Sequence, residues 1–513
     1  MLPIDMMVTD YNCEYLGLSR LCLMESAGKS LAEEVGKISV YKFSKPVKIV
    51  IFTGSGGNGG DGFVAARYLL NRGYDVDIYM IKDNIHSNEA RINLEILKNM
   101  KPRLSHLNIY NLKTLEDIKN CELSKSPNTE YVIIDGLLGT GIKGKLQINV
   151  RKAIEIINSA SGVKISVDVP SGMDPLTGEV YDLAVVPDYT ISFHKIKSGV
   201  RNADESIVGG LVTADIGIPF EAEYFINYGD FLRLKNRENS SHKGDNGRVL
   251  IVGGSLDYSG APAISGMAAI GAGADLVYVA SPYLSAQAIK SISPDLIVKS
   301  LKGDFLSIDH VSDIIDLSNK VDVVLLGPGA GIRDETSKLF NILVNKIKKP
   351  IVVDADALKQ IGISLIKNRE DIILTPHIFE FKSFFNISED LRLEIDSHDF
   401  NHVNENIAKF QKISNQIKGS VIVKGQYDLV LKGNTFRINR SGNSGMTVGG
   451  TGDALSGICA SLLSQNLNAF DSACLSVFIN GLAGEKAFDE NGNGFSATDL
   501  VSYIGNVIKN GLC

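Results

Sequence analysis

Largely apolar runs of strand length recur along the chain, and most of them end in a segment rich in glycine or serine. In the first half they cover residues 47–52, 75–81, 131–135 and 163–169. Residues 16–35 and 63–72 instead repeat their apolar positions at helical spacing. Continuous apolar runs are typical of strands that are buried on both faces. Because these runs alternate with helical segments, the pattern predicts a parallel sheet with helices on both faces.

The pattern fades between residues 218 and 246 and restarts at residue 248. The gap contains the polar, turn-rich stretch 236–241, which is typical of a boundary between domains. Further strands are predicted at residues 276–280, 321–326, 351–354, 372–375 and 421–424, with a hairpin at 428–437. We therefore predict two α/β domains, at residues 1–225 and 226–513.

Composition narrows the possible functions. With 513 residues the chain is too long for one hydrophobic core. Its net charge of −7 argues against a nucleic-acid-binding surface, so loops and helix ends would bind any phosphate. The six cysteines form no C-x-x-C pair, which is typical of a reducing compartment. We see no secretory leader and no membrane-spanning run, and expect a cytoplasmic protein without a membrane partner.

The first apolar run leads into the pattern Gly54-x-Gly56-x-x-Gly59, which formally matches a dinucleotide-binding loop. Asp75 and Asp77 follow roughly at the distance where such a loop has its ribose-binding acid. This arrangement would indicate a redox enzyme. A segment so rich in glycine matches several patterns by chance, however, so the redox interpretation is only one of two.

Side-chain oxygens at strand ends offer the second interpretation. Asn58, Asp135 and Ser171 each follow a predicted strand, and the carboxyl ends of parallel strands meet at one edge of a sheet. Such oxygens suit a hard cation, or they are turn residues that cap their own loops. Asp168, at another strand end, is either a general base in this cleft or an aspartate that fixes its loop.

In the second half, the glycine-rich segment 447–453 precedes an apolar run, which predicts a turn that opens a helix. Free N–H groups at a helix N-terminus bind phosphate, and Asp453 there could accept a proton or merely cap the helix. Four strand-end residues could bind Mg²⁺ or phosphate, or could be structural: Asp354, Asp356, His377 and Lys424. Because these loops share one sheet edge, they favour a nucleotide-phosphate site.

Together, these motifs resemble those of the bifunctional NAD(P)H-hydrate repair enzymes. Residues 24–28, 57–62, 135–141 and 167–172 are similar to the epimerase domain of that family. Residues 242–248, 327–329, 354–358, 375–377 and 449–453 are similar to its ADP- or ATP-dependent dehydratase domain. The resemblance implies a Rossmann-like three-layer α/β domain followed by a ribokinase-like α/β domain.

The resemblance also implies two activities. The first domain would interconvert the R and S forms of hydrated NADH and NADPH at carbon C6, with Asp168 as its catalytic residue. The second would dehydrate the S form with Asp453 as its catalytic residue, using ADP or ATP with Mg²⁺. A homo-oligomer is expected. The alternative is a ribokinase-like kinase of a vitamin precursor, whose first domain binds without catalysing.

The binding residues implied by the resemblance form four groups. Asn58, Asp135 and Ser171 would bind K⁺. The hydrated cofactor in the first domain would contact Asn58, Gly59, Gly60, Asp61, Gly139, Thr140, Gly141, Ile142, Lys143, Gly144, Lys145 and Asp168. In the second domain it would contact Ala261, Gly329, His377 and Asp453. The adenine nucleotide would contact Lys424, Gly425, Gln426, Tyr427, Asp428, Asn443, Gly449, Gly450, Thr451 and Gly452.

Two positions depart from the family pattern. Ser26 stands where the family usually has asparagine. Ile378 and Phe379 replace the usual proline and glycine after His377. Because that replacement changes the turn beside His377, the expected contact of this histidine depends on how the segment folds.

Overall fold

The computed structural model describes residues 1–43, 47–82, 84–112, 114–119, 130–139, 145–235, 237–395 and 400–512. The chain forms two compact units, Met1–Glu223 and Tyr224–Cys513. This division lies close to the boundary predicted after residue 225. None of the helices in the described ranges has the length and apolar character that a membrane crossing requires.

The first unit contains one parallel sheet. Its strands are β1 (Val47–Thr53), β2 (Asp75–Met80), β3 (Leu107–Asn111), β4 (Glu130–Gly136), β5 (Val163–Val167), β6 (Tyr189–Phe193) and β7 (Gly210–Ala214). Its helices are α1 (Pro3–Tyr15), α2 (Arg20–Lys42), α3 (Gly57–Asn71), α4 (Asn88–Met100), α5 (Leu115–Lys119), α6 (Ile148–Ser159), α7 (Ser198–Asn202), α8 (Glu205–Val208) and α9 (Phe220–Tyr224). The strand order is β3-β2-β1-β4-β5-β6-β7, so the chain changes direction across the sheet between β1 and β4.

Apolar side chains cover both faces of this sheet. On one face, Ile49 and Ile51 of β1 belong to the same buried cluster as Leu69 of α3. On the other face, Val50 and Phe52 of the same strand pack in a cluster that includes Ile154 of α6. Successive residues of β1 therefore point to opposite helical layers, and the predicted three-layer α/β fold is confirmed.

The second unit contains a larger, mixed sheet. Its strands are β8 (Arg248–Val252), β9 (Leu276–Pro282), β10 (Ile297–Leu301), β11 (Val323–Leu326), β12 (Ile351–Val353), β13 (Ile372–Leu374), β14 (Ser420–Val423), β15 (Asp428–Lys432) and β16 (Thr435–Asn439). Its helices are α10 (Gly260–Gly271), α11 (Tyr283–Ile292), α12 (Val311–Ser318), α13 (Asp334–Lys346), α14 (Ile363–Ile366), α15 (Ile378–Phe384), α16 (Phe400–Ser414), α17 (Thr451–Ser464), α18 (Ala469–Asn491) and α19 (Ala497–Gly511).

The strand order in this sheet is β10-β9-β8-β11-β12-β13-β14-β15-β16. Pairing is parallel from β10 to β14 and antiparallel through the hairpin of β15 and β16. Helices α10, α17, α18 and α19 contribute to one large apolar cluster against this sheet. The chain again changes direction across the sheet, here between β8 and β11.

Several predicted elements differ from the observed ones. Helix α2 begins at Arg20 rather than at residue 16, because Ser19 caps it by accepting a hydrogen bond from the Cys22 amide at 3.3 Å. Helix α3 begins at Gly57, well before the predicted start at residue 63. Four strands were not predicted: β3, β6, β7 and β10.

Candidate active sites

The first site lies where β1 and β4 end, at the change of direction in the first sheet. Close packing explains the glycines here: a Cβ on Gly54 would lie 1.8 Å from the Leu137 carbonyl oxygen. A Cβ on Gly59 would lie 2.5 Å from the Gly54 oxygen. The glycines therefore let helix α3 start close to the strand ends, and they bring Asn58 to the carboxyl edge of the sheet.

Asn58, Asp135 and Ser171 meet at this edge. The Asn58 amide donates hydrogen bonds to the carbonyls of Val167 at 2.6 Å and Leu138 at 3.2 Å. Ser171 Oγ donates to Asp135 at 2.6 Å and lies 3.3 Å from the same Leu138 carbonyl. Burial raises the pKa of Asp135, whereas hydrogen bonds from Ser171 and Ser166 oppose that shift.

These groups have the chemistry of a site for a hard cation. Two backbone carbonyls, a carboxylate, a hydroxyl and an amide converge, and all of them offer oxygen. The Asn58 side chain donates from its nitrogen to both carbonyl oxygens, which joins the segment after β4 to the end of β5. This set of oxygen donors therefore fits the K⁺ site that the family resemblance implies.

Asp168 follows β5 and has a left-handed backbone with φ of 65°. Its carboxylate accepts a hydrogen bond from the Phe193 amide at 3.1 Å and pairs with Lys197. Lys197 is 1% exposed and also donates to the Phe193 carbonyl at 3.1 Å. Sequence reasoning missed this lysine, since it is distant from Asp168 along the chain. Its position just after β6, itself an unpredicted strand, was the available signal.

Two further carboxyl groups lie near this ion pair. Burial raises the pKa of Asp61 well above its usual value, and the negative charge of Asp168 adds to the shift. Burial also raises the pKa of Asp10 to about 6, although Arg20 and Lys197 oppose it. The first site thus combines a carboxylate that is paired with Lys197 and two further carboxyl groups whose pKa values are raised by burial.

Other predicted residues of the first site have mixed outcomes. A Cβ on Gly139 would lie 2.6 Å from Asn58 Oδ1, so these two positions are adjacent. Lys145 is exposed. The remaining predicted contacts lie outside the described residues: Thr140, Gly141, Ile142, Lys143 and Gly144.

Asp77, the candidate ribose-binding acid, instead pairs with Lys48 at 2.7 Å and Asn108 at 2.9 Å, so its carboxylate has a structural role.

The second site is built on the loops after β8 and β11. The Gly254 amide donates to the Pro328 carbonyl at 2.9 Å, which joins these loops. Gly329 has a φ of 60°, and a Cβ there would lie 3.3 Å from the Cβ of Ala261. Ser265 of α10 donates to the Asp453 carbonyl at 2.9 Å. Helix α10 therefore connects Ala261 to the start of α17, where Asp453 lies.

The start of α17 is an open helix N-terminus. Gly450 precedes it with a φ of 99°, and within the described chain no side chain caps it. Asp453, in the first turn, is partly buried. Burial raises its pKa to about 7, with a further contribution from Asp354, while Lys424 lowers it. An aspartate with this pKa can accept a proton at neutral pH.

Lys424 lies opposite this helix end. Its Nζ is 3.1 Å from Asp354 Oδ1, which also accepts a hydrogen bond from Thr375 at 2.6 Å. A Cβ on Gly452 would be 3.5 Å from Nζ. Burial lowers the pKa of Lys424, but Asp354, Glu380 and Asp453 together raise it above its usual value. The lysine therefore stays charged beside the free N–H groups of α17, where phosphate oxygens would lie.

A cleft of about 660 Å³ opens beside Lys424. Predicted nucleotide-binding residues that line it are Lys424, Gly425, Gln426, Tyr427, Asp428, Asn443, Thr451 and Gly452. Gly449 and Gly450 are not among its lining residues. Lining residues that sequence reasoning missed include Arg440, Ser441 and Asn480. Asn480 lies within α18, far from any glycine-rich loop, so no local signal indicated it.

His377 has a structural contact of its own. Its Nδ1 accepts hydrogen bonds from the amides of Phe379 at 3.2 Å and Glu380 at 3.3 Å, which caps helix α15. The side chain is 49% exposed. The segment that replaces the expected proline and glycine therefore forms the first turn of a helix, with the histidine at its N-cap.

Known proteins match both halves of the chain. A family described as YjeF-related protein N-terminus matches residues 20–199, and a family described as NAD(P)H-hydrate dehydratase matches residues 249–506. The bifunctional NAD(P)H-hydrate repair enzyme Nnr of Methanothermobacter thermautotrophicus is 44% identical over 100% of this chain and 96% of the relative. The enzyme of the same name from Pyrobaculum aerophilum is 38% identical over 99% of this chain and 97% of the relative. A structure of the Bacillus subtilis ADP/ATP-dependent NAD(P)H-hydrate dehydratase is 21% identical, covers 56% of this chain and 98% of its own, and has a TM-score of 0.47.

Proposed function

Because this chain belongs to the family of bifunctional NAD(P)H-hydrate repair enzymes, we propose that Asp168 and Asp453 are the catalytic residues of its two activities. The first half is an NAD(P)H-hydrate epimerase, and the second is an ADP- or ATP-dependent NAD(P)H-hydrate dehydratase. The single observation that carries the proposal is the open N-terminus of α17, where Asp453 and Lys424 lie beside a nucleotide-sized cleft.

Epimerisation needs a proton donor and a proton acceptor. Hydrated NAD(P)H has a hydroxyl on C6, next to a ring nitrogen whose lone pair helps to expel it. Asp61 donates a proton to this oxygen, the C–O bond breaks, and water leaves a planar C6. Water then returns to the opposite face and gives its proton to Asp168, which Lys197 holds in place. Return of that proton to Asp61 resets the site. A positioned acid–base pair contributes about 10²–10⁴ in rate.

We assign a structural role to K⁺ in this half. Asn58, Asp135 and Ser171, with the carbonyls of Leu138 and Val167, would hold the ion. There it would supply positive charge that fixes the strand-end loops. Asp61 in helix α3 and Asp168 after β5 both follow these strand ends, so their geometry depends on this cluster.

Dehydration in the second half proceeds through phosphoryl transfer, because hydroxide is a poor leaving group. Asp453 takes the proton of the C6 hydroxyl. The oxygen on C6 then forms a bond to the terminal phosphorus of ADP or ATP, and the nucleotide leaves with one phosphate fewer. The amides at the start of α17 stabilise the charge on the transferred group. The C6–O bond then breaks and phosphate keeps the electron pair. The departing phosphate accepts a proton from C5, and the C5–H electrons form the double bond of NAD(P)H.

Mg²⁺ fits the charge balance of the second site. Asp354 and Asp356 both raise the pKa of Asp453, and Lys424 lowers it. A bound polyphosphate would therefore add negative charge beside three carboxyl groups. Mg²⁺ would be held mainly by nucleotide phosphates, where it neutralises charge.

A homo-oligomer and a cytoplasmic location stay predictions. The relatives match both halves, so the vitamin-precursor kinase and the redox enzyme are not supported.

The proposal is tested by incubating the purified full-length protein with mixed R and S hydrates of NADH, ATP or ADP, Mg²⁺ and K⁺. Both epimers should return to NADH, seen as regained ultraviolet absorbance, with inorganic phosphate released in equal amount. A stable phosphorylated product without regained absorbance would support the kinase instead.

A further inference from the structure

The dehydratase must hold two nucleotides at once, and this requirement has a structural consequence. One is ADP or ATP, and the other is hydrated NAD(P)H, which itself contains an adenosine phosphate. The cleft beside Lys424 has about 660 Å³, a volume that suits one ligand of nucleotide size. The adenosine half of the damaged cofactor therefore needs a separate space, continuous with the place where the two substrates react.

A second cavity of about 700 Å³ is lined by the same segment that starts at Lys424. The two cavities share Lys424, Gly425, Gln426 and Tyr427 as a common wall. Ile378 also lines the second cavity. It directly follows His377, which is predicted to contact the hydrated cofactor. A dinucleotide whose nicotinamide ring reaches Asp453 could therefore extend its other half into this space.

Two side chains of α15 give this cavity a suitable surface. Phe379 and Lys382 both line it, and their spacing of three residues places them on one face of the helix. Phe379 is 75% exposed, so its ring is available to a flat ligand. Stacking of a base on an aromatic ring needs only such an accessible face.

The charges in the cavity single out Lys382. Among the lining residues, Arg392 pairs with Asp390 at 3.2 Å and His402 pairs with Glu394 at 2.8 Å. Lys382 forms no ion pair in the part of the chain that the structure describes. It is therefore the cation available to a phosphate group close to the ring of Phe379. Lys424 lines both cavities, but it is already assigned to the phosphates of ADP or ATP at the start of α17.

We propose that this second cavity binds the adenosine phosphate half of hydrated NAD(P)H, with adenine stacked on Phe379 and the ribose 2′-phosphate of the NADPH form facing Lys382. This inference rests on the proposed function of the second half. It assigns the NADPH-hydrate a contact that the NADH-hydrate lacks, so Lys382 becomes a determinant of specificity.

The test measures dehydratase kinetics of the full-length protein with the S hydrates of NADH and NADPH at saturating ATP. Phe379→Ala should raise KM for both hydrates about tenfold, the order expected for a lost stacking contact. Lys382→Gln should raise KM for the NADPH-hydrate about tenfold and leave KM for the NADH-hydrate within twofold, because a charged hydrogen bond is lost only with the 2′-phosphate. KM for ATP should not change in either variant.

Two control variants match these changes elsewhere in the same unit. Tyr283→Ala removes an aromatic side chain that is 54% exposed and lines neither cavity. Lys346→Gln removes an exposed lysine from the last turn of α13. Unchanged hydrate KM values in Phe379→Ala and Lys382→Gln would overturn the second-cavity assignment. A wild-type protein that regenerates no NADH would instead contradict the proposed function, so the two failures are distinguishable.

Discussion

Asp168 and Asp453 are both withdrawn from water, but their surroundings differ. Asp168 forms a buried ion pair with Lys197, so a cation compensates its charge. Asp453 has acidic neighbours, and burial together with Asp354 raises its pKa to about 7. The first carboxylate is held in a fixed position by a buried cation, whereas the second is close to gaining or losing a proton at neutral pH.

The dehydratase should therefore depend on pH through Asp453. The base must be ionised, and its pKa of about 7 lies far above the usual value of 3.8. We expect kcat/KM for the S hydrate to fall about tenfold per pH unit below pH 7 and to level off above it. Asp354→Asn should move the inflection to lower pH, since it removes a neighbouring negative charge. A rate that is constant from pH 5 to 8 would contradict Asp453 as the base.

Lys197 is predicted to be essential for the epimerase. Lys197→Met leaves Asp168 buried without its cation, which displaces or protonates the carboxylate. Epimerisation should slow by about 100-fold or more, while dehydration of the S form, which belongs to the other unit, continues. Chiral separation of the hydrates measures the first rate, and a melting curve checks that the variant folds.

Lys195→Met is the matched control, because Lys195 lies two residues away and its side chain is 39% exposed. It should epimerise at close to the wild-type rate. If Lys197→Met and Lys195→Met behaved alike, the ion pair with Asp168 would have no catalytic importance. Lys197→Arg should recover part of the activity, since it restores a cation.

At the scale of elements, the contact between helices α10 and α17 fixes the position of the N-terminus of α17. A Cβ on Gly457 would lie 2.1 Å from the Ser265 carbonyl oxygen of α10, so these helices pack with backbone contact. The same pair is joined by the hydrogen bond from Ser265 to the Asp453 carbonyl. The position of Asp453, the proposed catalytic residue, thus depends on close packing of α10 and α17.

Gly457→Ala should consequently push the two helices apart. We expect the free energy of unfolding to fall by about 1–3 kcal/mol, as for other overpacked cores, and dehydratase activity to fall with it. Denaturant titration of the purified protein measures the change. Gly260→Ala is the control within α10, because a Cβ there meets nothing within 4 Å. Equal stability of the two variants would exclude backbone contact between the helices.

Most interior strands were predictable from the sequence, whereas three of the four edge strands of the two described sheets were not. Strands such as β1 and β4 are buried on both faces and read as continuous apolar runs. Strands β3, β7 and β10 lie at or beside sheet edges and alternate or lose their apolar residues. Strand β6 is buried, but its alternating serine and threonine interrupt the apolar run.

Site residues divide in the same way. The locations of Asp168 and Asp453 were predictable because these aspartates directly follow a strand or a glycine turn, while their catalytic roles stay predictions. Lys197 and Asn480 reach their sites through tertiary packing, and neither lies in a recognisable motif. Glycines near Asn58 suggested a loop, whereas the structure uses them to start a helix against the strand ends.

At the scale of the whole molecule, one chain carries two complete α/β units with separate carboxylates. The S form that the second unit consumes is regenerated by the first from the R form. Neither unit alone would therefore clear a mixture of both epimers at full rate. This division of work predicts that damage to one carboxylate leaves the other activity measurable in the same polypeptide.

The most direct measurement follows recovery of NADH from equal amounts of R and S hydrates with ATP, Mg²⁺ and K⁺, using Asp168→Asn, Asp453→Asn and their mixture. Asp168→Asn should rapidly recover only the S half, and Asp453→Asn should recover none while it still equilibrates the epimers. The mixture of both variants should recover the whole. If Asp453→Asn regenerated NADH at close to the wild-type rate, or Asp168→Asn consumed both epimers rapidly, the assignment of the two carboxylates would be contradicted.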